Sequence, residues 1–323
     1  MKTLCRVALA ALCLSLFWFA PDLAQAQYPD RPIRIVVGFT PGGGNDIIAR
    51  VFGQKLSESL GQPVIIENKP GAGAMLATEY VARSAPDGYT LLVGASGAMT
   101  ISPAVYEKIN YDTMRDFKPV SSLGSFPLIL IVNAKSEFKS LADLVTYAKA
   151  NPDKTNYSSS SAAFQLATEL FKQKTGAPMQ MIPYKGANDS VTAVISGEVT
   201  ATIADAGPVI SQVNGGLARA LAVAAPTRAE SLPNVPTMKE AGADVEAVLW
   251  SGIFVPAATP PEIVRKLEAE FVRIARLPDV VARLKLLNID SVGNSSEEFS
   301  RIIAADLERW RAVAHAGNIK IAQ

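Results

Sequence analysis

The feature that most constrains the fold is the stretch at residues 33–50, IRIVVGFTPGGGNDIIAR, which has the pattern strand, glycine turn, helix. Residues 33–37 form a short segment that is rich in β-branched side chains, as is typical of a buried strand. Apolar residues at helical spacing begin at Asp46, just after the glycines at 42–44. Because glycine has no Cβ, backbone amides in this turn can approach a ligand, and Asn45 or Asp46 is expected to cap the helix. The positive end of that helix makes the loop a candidate anion site.

Glycine-rich turns of this kind also occur in other classes of site. In the dinucleotide-binding pattern GxGxxG, Ile47 would stand at the third glycine, where close helix packing requires Gly or Ala. Glu67 lies at about the position of a ribose-binding carboxylate, so this alternative stays open. The P-loop pattern is excluded because no GK[ST] follows the glycines. A further alternative is that the glycines only form a tight turn.

The N-terminal residues 1–26 have the pattern of a secretory signal peptide. Basic residues at positions 2 and 6 precede an apolar block at 7–20, and the small residues of AQA at 24–26 match a cleavage site. The pattern predicts a mature chain that begins at Gln27. Both cysteines of the sequence lie in the predicted signal, so the mature chain is expected to lack disulfides and thiol chemistry.

Length and charge narrow the function class. The 323 residues, 49% of them hydrophobic, suffice for two domains with separate cores. The 31 basic and 30 acidic residues are intermixed, which argues against a nucleic-acid partner. The sequence has one histidine, His315, and shows no cluster of metal ligands, so no cofactor and no metal are expected.

Strand-like and helix-like segments alternate after the first helix, which predicts a doubly wound, mostly parallel sheet. Right-handed crossovers would place the loops at 39–46 and 94–100 side by side at one sheet edge. The second loop contains GASGA, one residue short of the GxSxG nucleophile elbow of serine hydrolases. That chemistry needs a histidine, and His315 lies in a charged C-terminal helical segment where a surface position is expected.

A second alternation begins at the apolar run FPLILIV, residues 126–132, which follows a polar region at 116–125. The serines at 158–161 then open an amphipathic helix, and so repeat the first motif with hydroxyls in place of glycines. The chain is expected to cross back near residue 249. The predicted organisation is a signal peptide at 1–26, a first lobe at 27–125, a second lobe at 126–248, and a return segment at 249–323 that completes the first lobe.

Motifs spread over the whole chain resemble those of the tripartite tricarboxylate transporter substrate-binding proteins, the TctC or Bug family. They are Tyr28-Pro29 with Pro32, the loop at 39–44, ENKPGAG at 67–73, PDGYTLL at 86–92, PYKG at 183–186, LPNVPT at 232–237 and WSG at 250–252. The resemblance implies an α/β fold: a two-lobed periplasmic binding protein of type II (Venus flytrap), each lobe a doubly wound, mostly parallel sheet. It also implies a periplasmic, non-enzymatic receptor that passes a small carboxylate to the membrane permease subunits of such a transporter.

The resemblance further implies a set of ligand-binding residues, in which the first lobe holds the inner carboxylate and the second lobe contributes its serine loop and an aspartate. These candidates are Phe39, Thr40, Gly42, Gly43, Asn45, Asp46, Ser96, Ala98, Ser159, Ser160, Ser161, Ala162, Phe164, Tyr184 and Asp205. Relatives commonly have a longer, glycine-bearing loop that ends in histidine, and Gln165 stands near that position here. This departure favours a less polar or aromatic acid if Phe164 faces the ligand, and the alternative is that Phe164 packs in the core.

The charges of the glycine loop and the serine loop indicate, without the resemblance, how a carboxylate could be held. Neither loop carries Arg or Lys, so oriented amides, hydroxyls and helix ends would hold the carboxylate. Asp205 would repel a second carboxylate, and is expected either to accept a ligand hydroxyl or ammonium or to orient neighbouring amides. Two alternatives to a transport receptor remain: a secreted enzyme acting on a carboxylate, and a receptor for a non-carboxylate ligand that serves a sensor. A monomer is expected in each case.

Overall fold

The computed structural model describes residues 28–321, so the predicted signal peptide lies outside the described residues. The strands are β1 (Ile33–Val37), β2 (Val64–Asn68), β3 (Thr90–Ala95), β4 (Phe117–Asn133), β5 (Asn156–Ser159), β6 (Gln180–Pro183), β7 (Ala201–Asp205), β8 (Ala218–Val223), β9 (Val248–Pro256) and β10 (Asp290–Ser291). The α-helices are α1 (Gly44–Leu60), α2 (Met75–Ala82), α3 (Ser102–Val105), α4 (Thr113–Asp116), α5 (Leu141–Ala150), α6 (Ala162–Thr175), α7 (Ala187–Ser196), α8 (Ala206–Asn214), α9 (Pro261–Ala275), α10 (Pro278–Lys285) and α11 (Ser296–Ala316). A 3₁₀ turn spans Ala72–Ala74 and a π-helical turn spans Gly97–Ile101.

The sheet confirms the predicted α/β class and consists of two halves that share strand β4. In the first half the strand order is β2-β1-β3-β9-β4, and β1 is parallel to both β2 and β3. In the second half the order is β4-β7-β5-β6, with β5 parallel to β6 and β7 and with β8 also paired to β4. Each half therefore has a parallel part, β2-β1-β3 or β7-β5-β6, and antiparallel pairs with β4 or β9, so the sheet is mixed and less parallel than predicted. The long antiparallel pair of β4 and β9 joins the two halves.

Strand β4 begins earlier than the sequence indicates. The polar region at 116–125 belongs largely to the strand, which starts at Phe117. Ser121 and Ser122 are buried in this strand and find partners inside the protein: Ser121 Oγ donates to the carbonyl of Asn294 (2.7 Å), and the Ser122 amide donates to Asn294 Oδ1 (2.9 Å). Hydroxyls satisfied in this way do not interrupt a buried strand, so the polar composition was misleading. The lobe boundaries near residues 126 and 249 stay predictions.

The hydrophobic cores follow the two halves of the sheet, with one exception. Residues of α1, α9 and the first strands pack around Phe52 and Phe271, and residues of α5 and α6 pack around Tyr157 in the second half. Helix α11 contributes to both sides: its first turns pack against β9, whereas Trp310 belongs to the core of the second half. Among residues 28–321 no helix combines the length and the apolarity that crossing a bilayer requires.

The N-cap residues of α1 and α6 fix where these two helices begin at the carboxyl edge of the sheet. Helix α1 begins at Gly44 with Gly43 as its N-cap, so the expected cap by Asn45 or Asp46 is wrong. Helix α6 has Ser161 as its N-cap, as expected for one of the four serines, and Ser161 Oγ accepts from the Phe164 amide at 3.4 Å.

Candidate functional site

A cleft of about 640 Å³ lies between the two halves of the fold. The predicted site residues that line it are Phe39, Gly42, Asn45, Ser96, Ser160, Ser161, Ala162 and Asp205. The other predicted residues do not line it: Thr40, Gly43, Asp46, Ala98, Ser159, Phe164 and Tyr184. The structure therefore brings together candidates from the glycine loop, the loop after β3, the serine loop and the end of β7, while several of their neighbours have other contacts.

Asp46 organises the glycine loop from behind. Its side chain is buried, and Oδ2 accepts from the Gly42 amide (2.8 Å) and from Arg50 Nε (2.9 Å). Oδ1 accepts from Asn68 Nδ2 (2.9 Å), and the same Asn68 nitrogen donates to the Phe39 carbonyl (3.0 Å). Burial acts to raise the pKa of Asp46, but the hydrogen bonds from Arg50, Gly42 and Asn68 outweigh it and lower the pKa. The Gly42 amide therefore donates its hydrogen bond to Asp46 and is not free to donate to a ligand.

The glycine loop and the first turn of α1 line the cleft together. Gly42 has a φ of +87°, a conformation that favours glycine, and it leads directly into the helix N-terminus. A Cβ built on Gly44 would lie 3.1 Å from Cε1 of Phe126, so an aromatic ring packs directly against this backbone. Asn45 Oδ1 accepts from the hydroxyl of Ser251 on β9. Helix-end amides and an apolar wall therefore adjoin each other here.

The loop after β3 has a similar relation to the cleft. Ser96 Oγ accepts from the Trp250 amide (3.2 Å), which ties the loop to β9. Gly97 opens the π-helical turn and lines the cleft, and a Cβ at that position would meet no atom within 4 Å. Ala98 is fully buried, and its carbonyl accepts from the Tyr111 hydroxyl (2.5 Å). Within this loop, Ser96 and Gly97 face the cleft and Ala98 supports them.

In the serine loop, most hydroxyls are used for structure. Ser158 Oγ donates to the Ser190 carbonyl and Ser159 Oγ donates to the Ser161 carbonyl, both at 3.0 Å. With Ser161 acting as the cap of α6, Ser160 is the serine of this loop whose hydroxyl makes no hydrogen bond within the described residues, and it lines the cleft. The Ser160 hydroxyl is therefore available to a ligand, and the Ser161 hydroxyl, which accepts from Phe164, can still donate its proton into the cleft.

Two neighbours of the serine loop pack elsewhere. Phe164 is 8% exposed and belongs to the core of the second half, in agreement with the packing alternative. The Tyr184 hydroxyl donates to Glu198 Oε1 (2.8 Å), and the Tyr184 amide donates to the Ser159 carbonyl (2.8 Å). Both side chains support the loop from outside the cleft.

Asp205 ends β7 and is the N-cap residue of α8, but its side chain makes no capping hydrogen bond. Its Oδ1 is buried and has no hydrogen-bond partner among residues 28–321. Burial penalises the charged form and raises the pKa of this carboxyl, although a hydrogen bond from the backbone amide of Asp205 itself opposes the shift. Ala206 and Gly207, which follow it at the helix start, also line the cleft.

Sequence reasoning missed most of the apolar wall. The larger apolar side chains that line the cleft besides Phe39 are Ile47, Ile101, Tyr106, Phe126, Leu249, Trp250, Leu287 and Ile289. Trp250 and Ser251 belong to one of the quoted motifs, which was the available signal for them. The wall contains no Arg or Lys. Within the described part of the chain no group of three His, Cys, Asp or Glu side chains could hold a metal ion.

A second groove, of about 670 Å³, lies on the surface beside α2. It carries Arg31, Arg34 and Arg83, and each of these arginines is within ion-pair distance of a carboxylate of the chain. This groove is formed by the first half of the fold alone. The cleft, which both halves line, is therefore the candidate site.

Known proteins resemble this chain in both sequence and structure. The model of the tripartite tricarboxylate transporter family receptor matches residues 48–319. The chain is 34% identical to Protein BugT of Bordetella pertussis over 319 residues, which is 98% of each protein. The solved structure of Rpa4515 of R. palustris with adipate is 32% identical, with a TM-score of 0.78, over 92% of this chain and all of that one. MatC of Rhodopseudomonas palustris with bound malate is 29% identical, with a TM-score of 0.73, over 88% and 99% of the two chains.

Proposed function

This chain belongs to the tripartite tricarboxylate transporter receptor family, and from that premise we propose that it is a periplasmic receptor that captures a small carboxylate in the cleft and delivers it to the membrane subunits of such a transporter. The observation that carries the proposal is the convergence of helix starts on one cleft. The N-termini of α1, α6, α8 and the π-helical turn all contribute lining residues. Each such terminus offers backbone N–H groups and a partial positive charge to an anion.

Release of the ligand follows from the same arrangement. The cleft lining contains no Arg or Lys, so a carboxylate there would be held by backbone amides and a serine hydroxyl. Such a ligand is bound by dipoles and forms no ion pair with the protein. A transport receptor must give its ligand up, so this chemistry suits the role. Adipate and malate in the structures of two relatives support a carboxylate as the ligand here.

The proposal includes the lobe assignment and the location of the protein. Residues 27–125 and 249–323 form one lobe and residues 126–248 the other, and β4 and β9 act as the hinge. The signal pattern at 1–26 directs the chain to the periplasm, where it acts as a monomer. An enzymatic role is disfavoured because the sole histidine, His315, is exposed on α11 and the cleft offers no acid and base pair.

The direct test is calorimetry of the purified mature protein against a panel of small carboxylates, with the matching alcohols and sugars as controls. A true ligand at a hundred times its dissociation constant should stabilise the protein by ~2.7 kcal/mol, so thermal shifts can screen the panel first. Binding of sugars or alcohols but no carboxylate would overturn the proposal. Proton NMR of the same mixtures should show no turnover, and a product peak would revive the enzyme alternative.

A further inference from the structure

The two ends of the cleft differ in what they offer a ligand. The end formed by α1 and the π-helical turn presents helix-start amides, with Ser96 and Trp250 beside them. The other end presents Asp205, whose Oδ1 is buried and has no hydrogen-bond partner among residues 28–321. The starts of α6 and α8 also line this second end, so what distinguishes it is the buried acceptor, which a hydrogen-bond donor on the ligand would satisfy.

The strand register gives the separation between these ends. Trp250, which contacts Ser96, pairs with Ser125 on β4, whereas Asp205 pairs with Leu128 on the same strand. The two positions are three residues apart along β4, which is about 10 Å at the usual rise of a strand. A ligand that touches both ends must have a body several bonds long.

The space between the ends is apolar. Phe126 lies on β4 between the two positions and packs against Gly44 at the start of α1, and its cross-strand partner Leu249 also lines the cleft. Leu287 and Ile289 add to the same wall. A ligand body with hydroxyls or carboxylates along its length would lose hydration here without gaining hydrogen bonds.

A second carboxylate at the far end would meet Asp205 with no cation in the lining to offset the repulsion. Like charges placed together at an interface cost several kcal/mol, whereas a donor at this position would satisfy a buried acceptor. We infer that the preferred ligand is a monocarboxylate with an apolar aliphatic or aromatic body and a neutral or cationic hydrogen-bond donor at its far end, which Asp205 accepts. This inference rests on the proposed carboxylate receptor and specifies its substrate class.

The test compares molecules that differ only at the far end. Adipate is matched with its monoamide, and terephthalate with 4-carbamoylbenzoate, by calorimetry at neutral pH on the purified mature protein. In each pair we expect the monoamide to bind at least about tenfold more tightly than the diacid. If a diacid binds as tightly as its monoamide, the inference is wrong although the carboxylate receptor stands. If no carboxylate in the panel binds, the proposed function itself fails.

Two variants assign the effect to Asp205. In Asp205→Asn the monoamide preference should collapse to within about threefold, because the repelling charge is gone. Asp189→Asn, a matched change in the first turn of α7 outside the cleft, should keep the wild-type ratio. An unchanged ratio in folded Asp205→Asn would overturn the role of Asp205. If that variant does not fold, 4-carbamoylbenzoate is compared with benzoate on the wild type, and equal affinities would overturn the inference.

Discussion

The indole Nε1 of Trp250 donates a 2.7 Å hydrogen bond to Oδ2 of Asp306. Trp250 lines the cleft, and Asp306 lies on α11, the helix that packs with both halves of the fold. Arg309 Nη2 donates to Asp306 Oδ1 (2.6 Å), and Arg309 Nη1 donates to the Glu246 carbonyl (2.9 Å) just before β9. Burial raises the pKa of Asp306, although Arg309 and the indole oppose it. The cleft wall is thereby linked to the helix that spans the two halves.

This link predicts which tryptophan reports ligand binding. Addition of a bound carboxylate should change the intrinsic fluorescence, and Trp250→Phe should remove most of that change because Trp250 lines the cleft. Trp310→Phe should keep it, since Trp310 is buried in the core of the second half. Titrations of both variants check this. Loss of the change in Trp310→Phe alone would contradict the assignment.

A methyl group at Gly97 should block the site without harming the fold. Gly97 lines the cleft, and a Cβ there meets no protein atom, so Gly97→Ala projects into the space for the ligand. We expect affinity to fall at least about tenfold, ~1.4 kcal/mol, while stability stays equal or rises slightly. Gly186→Ala, at the N-cap of α7 away from the cleft, is the matched control and should bind like the wild type. Wild-type affinity in Gly97→Ala would mean that the ligand does not approach this turn.

Asp46→Ala should destabilise the protein by about 1–3 kcal/mol at pH 7, because the Gly42 amide and Asn68 lose a buried acceptor. The pKa of Asp46 is lowered in the folded state, so its contribution is present above the unfolded value of 3.8 and is lost as pH falls through the lower, folded pKa. Urea unfolding at pH 7 and pH 3 measures this. The difference from the wild type should shrink at pH 3. Asp153→Ala, at an exposed turn, should show neither effect.

The raised pKa of Asp205 predicts that stability depends on pH in the opposite sense at this residue. Its folded pKa is raised above the ordinary value of 3.8, so the folded state binds the proton more tightly and the destabilisation by Asp205 grows as pH rises above 3.8 towards the folded pKa. Asp205→Asn should therefore gain about 1–3 kcal/mol over the wild type at pH 7 and little at pH 3.5. Thermal unfolding across this range tests the sign. A gain that is larger at pH 3.5 would contradict it.

Closure of the two lobes is a separate prediction. A ligand held by helix starts from both sides binds the closed arrangement better, so saturating ligand should reduce the radius of gyration measured by X-ray scattering. Gly97→Ala, titrated in parallel, gives the matched control, because the same reduction should require at least about tenfold more ligand. An identical radius of gyration with and without ligand in the wild type would contradict closure.

Local patterns in the sequence predicted much of the site. The glycines at 42–44 and the serines at 158–161 correctly marked helix starts at the cleft, since turn and capping preferences act over a few residues. The cap of α1 was wrong because Asp46 accepts from Asn68, which lies 22 residues further along the chain. No local pattern shows that contact.

The sequence by itself determined the α/β class, the family and the loops that reach the cleft, because hydrophobic periodicity, turn residues and ordered motifs are local properties of the chain. Only the tertiary structure decided which residues of each loop line the cleft. In the folded protein the side chains of Ala98 and Phe164 are buried, whereas Trp250 and Leu287 line the cleft. The tertiary structure also left Oδ1 of Asp205 buried and without a hydrogen-bond partner in the described part of the chain. Facing and burial depend on the packing of elements far apart in the chain, and on the bulges and register of the long pair β4 and β9.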